Sequence, residues 1–144
     1  MKKPKYNTST KKIDKPVYCG MVFDSKDELL YYQWLQYDLI TGKISGLERQ
    51  VKFTLIDKYQ IGSKKVRAAE IIIDFKITLN DGSVLYQDYK GNPCEKAKLQ
   101  RKMFESRYKV PLKWICYSKM DGGWIEYEEL KKLRAKRKRE KVKK

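Results

Sequence analysis

The sequence predicts an α/β domain, a single sheet sandwiched by helices, and three observations predict it. Two segments, near residues 25–41 and 95–108, repeat apolar residues close to helical spacing. Between them lie three β-rich segments joined by glycine-containing turns. After the second helix comes one more short apolar run, Leu112 to Tyr117, of the length of a strand.

The elements follow in order. Residues 1–16 are polar and lysine-rich without periodicity, and read as a flexible basic arm. Tyr18 to Phe23 is short and apolar, as an edge strand would be. At Asp24-Ser25-Lys26-Asp27-Glu28 a helix starts: Asp24 or Ser25 can cap it, and Asp27 and Glu28 suit the positive end of its dipole. Leu29, Tyr32, Leu35, Leu39 and Ile40 form its apolar face, and Gly42 stops it. Val51 to Tyr59 alternates, with Val51, Phe53 and Leu55 on one side. Gly62-Ser63-Lys64-Lys65 turns, and Val66 to Leu79 is a long strand with the β-branched centre Ile71-Ile72-Ile73. Asn80-Asp81-Gly82 makes a hairpin turn into the returning strand Ser83 to Lys90, which Gly91-Asn92-Pro93 breaks. Glu95 to Tyr108 is the second helix, striped by Leu99, Met103 and Phe104. Asp121-Gly122-Gly123 then turns the chain into Trp124-Ile125-Glu126-Tyr127, and a last helix begins near Glu128. Residues 17–127 therefore form a single domain, and 128–144 a basic C-terminal helix or tail.

Bulk properties narrow the partners. The chain has 144 residues and a net charge of +16. Such a charge on a small domain favours a polyanion, because each phosphate neutralised releases counterions. No run of about 18 apolar residues exists, so no membrane span is expected, and the basic start is not followed by the apolar stretch of a signal peptide. A cytoplasmic address follows. Three cysteines, Cys19, Cys94 and Cys116, are widely spaced, form no CxxC pair and read as reduced, partly buried thiols. The absence of histidine removes serine and cysteine triads and histidine bases. Any chemistry must use carboxylates, lysines and a metal.

Three places put charge where the pattern wants an apolar residue. Asp74 interrupts Ile71-Ile72-Ile73-Asp74-Phe75, Asp88 and Lys90 end a strand as Asp88-Tyr89-Lys90, and Glu28 sits in the first turn of the first helix. Taken singly, Asp74 reads as a carboxylate on an exposed strand face and the triplet as a solvated strand end. Their combination on consecutive strands, after a helix carrying a glutamate, is much rarer. Register decides whether they meet. With a three-residue loop, Asn80-Asp81-Gly82, Leu79 opposes Ser83 and Asp74 opposes Asp88, about 5 Å apart at Cβ, with Lys90 on the same face. With the two-residue loop Asp81-Gly82, the carboxylates part to opposite faces. Close carboxylates call for a hard divalent cation with oxygen ligands, Mg²⁺ by preference, whose coordinated water can become a nucleophile. Lys90 would then orient that water or stabilise charge on a scissile phosphate.

These residues, in this order, resemble the PD-(D/E)XK nuclease superfamily. Phe23-Asp24-Ser25-Lys26-Asp27-Glu28, Gly42-Lys43-Ile44, Leu47-Glu48-Arg49-Gln50-Val51-Lys52-Phe53, Ile73-Asp74-Phe75 and Asp88-Tyr89-Lys90-Gly91 further resemble small phage and prophage nucleases described as Holliday junction resolvase-like endonucleases. The likeness covers about residues 20–116. It implies a restriction-endonuclease-like core of helix, three-stranded antiparallel meander, helix and further strand, so that 17–127 would be a single nuclease domain. It also implies an Mg²⁺ or Mn²⁺ site at Glu28, Asp74 and Asp88, Lys90 as catalytic lysine, and Gln50 in a supporting position. Two departures from the pattern are Ile73 where the motif has proline and the shorter Asp88 where it often has glutamate.

Basic surfaces would serve the same substrate. Lys98, Arg101 and Lys102, with Lys96 nearby, form a cationic stripe on the second helix that could grip DNA. Lys131 to Lys144 carries one acid, Glu140, among ten basic residues, and reads as a non-specific phosphate-binding extension, helical or disordered. The function expected is endonucleolytic hydrolysis of DNA, structure-selective on branched DNA, by a homodimer working in phage recombination or processing in a bacterial host cytoplasm. The competing expectations are a nicking or duplex endonuclease, a non-catalytic basic DNA-binding protein on the same fold, and a basic RNA-binding protein of the ribosomal type.

Overall fold

A computed structural model describes residues 15–143, so most of the expected basic arm lies outside the described residues. The chain is α/β: a mixed five-stranded sheet with three helices.

The first element differs from expectation. Val17–Tyr18 (β1) and Met21–Val22 (β2) form a small hairpin, not one edge strand. The reason is local: Cys19 and Gly20 both hold left-handed backbone, φ 50° and 76°, as a two-residue primed turn requires. Helix α1 runs Lys26–Ile40, and Ser25 is its cap, its Oγ accepting from the Glu28 amide at 3.1 Å. Gly42, at φ 80°, ends it. Of the apolar face expected, only Leu35 is buried. The inward row is Glu28, Tyr31 and Leu35, while Leu39 is exposed and Ile40 is 84% exposed. Spacing showed that a helix forms, but its rotation is set by Tyr31, which packs on Phe75 and Trp124 and donates to Gln87.

Strand β3, Gly46–Ile56, begins earlier than expected and ends before Tyr59. Tyr59–Ile61 (β4) and Lys64–Val66 (β5) make a separate hairpin around Gly62-Ser63. The long strand β6 is therefore Ala69–Thr78, without Val66. Next come β7 (Val84–Tyr89), α2 (Glu95–Tyr108), β8 (Leu112–Ser118), a 3₁₀ turn (Lys119–Asp121), β9 (Gly123–Glu126) and α3 (Tyr127–Val142). The sheet order is β3-β6-β7-β8-β9. β3, β6 and β7 form an antiparallel meander. β8 lies parallel to β7, a pairing that needs a long crossover, which α2 supplies. β9, which pairs antiparallel with β8, is a strand the sequence did not announce.

Neighbouring residues of a strand point to opposite faces. Gln87 meets Tyr31 of α1, and the adjacent Tyr86 meets Phe104 of α2, so these helices cover opposite faces of the sheet. Two cores result. One gathers Tyr31, Leu35, Ile44, Phe75, Ile77 and Ile115. The other gathers Leu55, Ile71, Ile73, Phe104 and Leu112, with Phe53 and Tyr86 packed against them. Each fully buried large side chain here contributes about 1.5–3 kcal/mol. Leu99, expected on the stripe of α2, points to solvent. The thiols also differ from expectation: Cys19 and Cys94 are exposed and only Cys116 is buried.

β6 serves both cores. Ile71 and Ile73 pack on the α2 side, Phe75 and Ile77 on the α1 side. A regular strand keeps alternate residues on one face, so the backbone must depart from regularity between Ile73 and Phe75. Asp74 occupies that point.

Candidate functional site

The β6–β7 hairpin has the three-residue loop. The Leu79 amide donates to the Ser83 carbonyl at 2.8 Å, Gly82 takes φ 87°, and Thr78 pairs with Val84. Pairing continues to Phe75 opposite Gln87, which brings Asp74 opposite Asp88. There the backbone ladder gives way to side chains. Asp88 Oδ1 accepts from the Asp74 amide at 2.7 Å, and Asp74 Oδ2 accepts from the Tyr89 amide at 3.0 Å. The two carboxylates thus hold the parting strands together and are held by them.

On the other side of β6, Arg49 pairs with Phe75 and Val51 with Ile73, so Gln50 stands opposite Asp74. Gln50 has left-handed backbone, φ 55°, which for a residue with a side chain costs about 1–2 kcal/mol. Its amide nitrogen lies 3.5 Å from both Glu28 Oε1 and Asp74 Oδ1. The structure thus places Gln50 between two of the acids.

Glu28 comes to the site from the first turn of α1. It is 2% exposed; its Oε2 accepts from the Asp24 amide at 3.1 Å, and its Oε1 lies 3.5 Å from the Arg49 guanidinium. Arg49 stacks 3.8 Å over the Phe23 ring, and its Nε is buried without a partner among the described residues. Burial raises the Glu28 carboxyl above its ordinary value, against the Asp24 amide and Arg49, which lower it.

Asp24, Glu28 and Asp74 each offer a carboxylate oxygen within 4.8 Å of the others. Of the expected ligand set, Glu28 and Asp74 belong to this group, Asp24 joins them, and Asp88 stands beside it, opposite Asp74. Asp88 is 5% exposed and has one oxygen committed to the Asp74 amide. Asp24, read from sequence only as a helix cap, stands close to these acids because the cap is Ser25 and its own side chain is left to project. It makes an ion pair with Lys15, at 2.9 Å. The signal was an acid four residues before Glu28, one helical turn away. Asp74 carries the electrostatic burden: its carboxyl is pushed up to about 8, first by burial, then by the charges of Asp88 and Glu28, with the Tyr89 amide and Lys90 opposing. Asp88 is raised as well, by burial. All-oxygen donors, crowded and short of positive charge, fit a hard divalent cation.

Lys90 follows Asp88 on the α2 side. Its amide donates to the Ile115 carbonyl at 2.9 Å, and its side chain shares with Asp88, Gln100 and Trp114 a cavity of about 220 Å³. So Glu28, Asp74, Asp88 and Lys90 do converge, with Gln50 and Asp24 beside them.

The stripe expected on α2 is only partly available. Arg101 is bound to Glu128 of α3 and stacks 3.6 Å from the Trp114 ring, and Lys98 pairs with Glu95 at 3.0 Å. Lys96 and Lys102 are exposed and make no ion pair among the described residues. Residue spacing places these cations on one face but is blind to partners 27 residues away.

A family model described as "Protein of unknown function (DUF1064)" matches residues 3–123, a span that includes every acid of the site and Lys90. No curated protein matches the chain.

Proposed function

The chain belongs to the DUF1064 family of proteins of unknown function, and we propose that it is a divalent-metal-dependent endodeoxyribonuclease, structure-selective for branched DNA, working as a homodimer. The observation that carries this reading is the juxtaposition of Asp74 with Asp88 and Glu28 at the irregular point of the sheet, with the Asp74 carboxyl pushed up to about 8. The meander, the α2 crossover and the parallel β8, with α1 and α2 on opposite faces, support the finer reading of a restriction-endonuclease-like core.

Asp24, Glu28 and Asp74 would hold an Mg²⁺ or Mn²⁺ ion, with Asp88 behind them. When bound, the ion supplies activation of water and neutralises charge at the phosphate. The residues do the rest. Asp88 holds the Asp74 amide and so fixes where the Asp74 carboxylate points. Gln50 spans Glu28 and Asp74 and keeps them converged. Lys90, partly buried beside Asp88, places an ammonium where the charge of a scissile phosphate would grow. The basic surface supplies electrostatic attraction for the backbone.

One observation favours a second reading. Arg49 already sits 3.5 Å from Glu28, so part of the negative charge is met within the chain, as in a DNA-binding protein without a metal.

The test compares wild type with Asp74→Asn and Lys90→Ala on labelled four-way junction and matched linear duplex, with Mg²⁺, with Mn²⁺ and with EDTA. Paired nicks in the junction are expected from wild type with metal. Either substitution should lower the rate by about 10²–10³-fold with binding intact. Equal cutting of linear duplex would discard the preference for branched DNA and keep the nuclease. Binding without cutting under either metal would establish the second reading.

A further inference from the structure

Helix α3 is held to the domain at several points, beginning with Tyr127, which packs edge-on against Trp114. Glu128 meets Arg101 of α2, Leu130 is 1% exposed in the core, and Arg137 grips Asp121 with both terminal nitrogens, at 2.6 and 3.2 Å. Ser118 adds a bond to the same aspartate at 2.6 Å. After Leu130 every other side chain of the helix is exposed. The fold thus fixes the direction of a helix that gives it almost no further burial.

What that direction presents is a row of cations. Lys131, Arg134, Lys138 and Lys141 stand at i, i+3, i+7 and i+10, one face of the helix, about 15 Å long. Lys131 opens the row onto a groove of about 540 Å³ between α2 and α3. The acids of that groove are engaged: Glu95 by Lys98, Glu128 by Arg101, and Glu105 by the Leu112 amide at 3.1 Å. Lys102 and Lys131 are its remaining cations. The same groove shares Trp114 with the Lys90 cavity, so the row leads toward the candidate site.

We infer that this row, with Lys102, is a track for the phosphodiester backbone of a nucleic acid, and that the Asp121–Arg137 pair is a positioning element that aims it. The inference rests on the reading that the chain handles nucleic acid, not on its cutting it. A nucleic acid fits better than an anionic membrane because the helix has no apolar face to insert: its exposed apolar side chains beyond Leu130 are Leu133, Ala135 and Val142, scattered among the cations.

The test measures binding of the full chain to labelled DNA in EDTA, where cutting does not intervene, across a salt series. Replacing Lys131, Arg134, Lys138 and Lys141 with glutamine should reduce the slope of log affinity against log salt by about 3–4. Replacing Lys132, Lys136, Arg139 and Lys143 on the other side removes the same charge and should change the slope by less than about 1. Asp121→Asn should weaken binding several-fold with the slope unchanged, since it removes no cation from the row. Equal losses from the two quadruple variants, or no loss from the first, would overturn the track. Unchanged affinity in Asp121→Asn would overturn the positioning role. Vesicles of phosphatidylserine and phosphatidylcholine serve as the other arm: a row variant that lost vesicle binding but kept its DNA slope would assign the helix to membranes and sink the inference. Should the row respond as expected while no DNA is cut under metal, the nuclease reading alone fails.

Discussion

Asp74 and Asp121 are both aspartates withdrawn from water, and the chain treats them in opposite ways. Asp121 has a two-pronged guanidinium from Arg137 and a hydroxyl from Ser118, which together hold its carboxyl below the usual range. Asp74 has the Tyr89 amide, the Gln50 side chain at 3.5 Å and the charge of Lys90 set against burial and two neighbouring carboxylates, and rises to about 8. Glu28 lies between these extremes: Arg49 is near, but at 3.5 Å, and its Nε has no partner among the described residues. A charge satisfied within the chain is finished business and does structural work. A charge left short of a partner in an otherwise well-packed protein marks where something outside the chain is to bind.

The largest effect should come from Arg49, where the comparison is most easily broken. Arg49→Met keeps much of the apolar stem against Phe23 but strands the buried Glu28. Stability should fall by about 3 kcal/mol at pH 7. Since the loss comes from an ionised Glu28, and burial already raises that carboxyl, the deficit should shrink as pH falls from 7 to the ordinary 4.5, above which the buried group takes up its proton. Urea melts at both pH values measure it. An equal deficit at both would mean that Arg49 acts by packing and not by charge.

Next in size is the pair of aspartates themselves. With a folded value of about 8 against an ordinary 3.8, Asp74 binds a proton in the fold that the unfolded chain has released. Stability in EDTA should therefore fall as pH rises from about 4 through about 8. Asp74→Asn should flatten that fall and be more stable than wild type at pH 9, by about 2 kcal/mol or roughly 6 °C in Tm. Asp121→Asn has the opposite sign. Its carboxyl is lowered, so it stabilises above the ordinary value and that contribution disappears as pH drops through the lowered one. The variant should melt below wild type at pH 7 and converge with it in acid. Adding Mn²⁺ should raise the Tm of wild type and leave Asp74→Asn nearly unmoved. If both asparagine variants shift the same way at pH 9, the contrast between the two sites is wrong.

How much of this was legible in the sequence depends on distance along the chain. The Asp74–Asp88 pairing was readable as one of two registers, because a hairpin counts its own: with the three-residue loop that the structure shows, Leu79 meets Ser83 and all the rest follows by stepping back. Helix α1 was readable in extent but not in rotation, since Tyr31 is drawn inward by Gln87 and Trp124, 56 and 93 residues on, and Leu39 and Ile40 are left outside. Arg101 looked like a surface cation because nothing near it in sequence announces Glu128 or Trp114. Asp24 was hidden by the competition of two good capping residues, which only geometry resolves in favour of Ser25. Strand β9 is four residues, Gly123-Trp124-Ile125-Glu126, after a turn, too short to declare itself before β8 offers an edge.

Gln50 gives the smallest expected effect and the sharpest one. Its left-handed backbone is costly for any residue but glycine, and the amide it carries reaches two acids and nothing else among the described residues. If the amide exists to keep Glu28 and Asp74 converged, fold and site should respond in opposite directions to its removal. Gln50→Gly relieves the backbone, though it adds freedom to the unfolded chain, for a net gain of about 0.5 kcal/mol. The same variant should lower Mn²⁺ affinity several-fold by calorimetry, because the two carboxylates are then free to part. Gln50→Ala keeps the strain and loses the amide, so it should match Gly in metal affinity and fall below it in stability. A loss of more than about 1 kcal/mol in the glycine variant would mean that the amide is bonding the fold together. Glu28 and Asp74 would then be satisfied as Asp121 is, and the strain at Gln50 would serve stability alone.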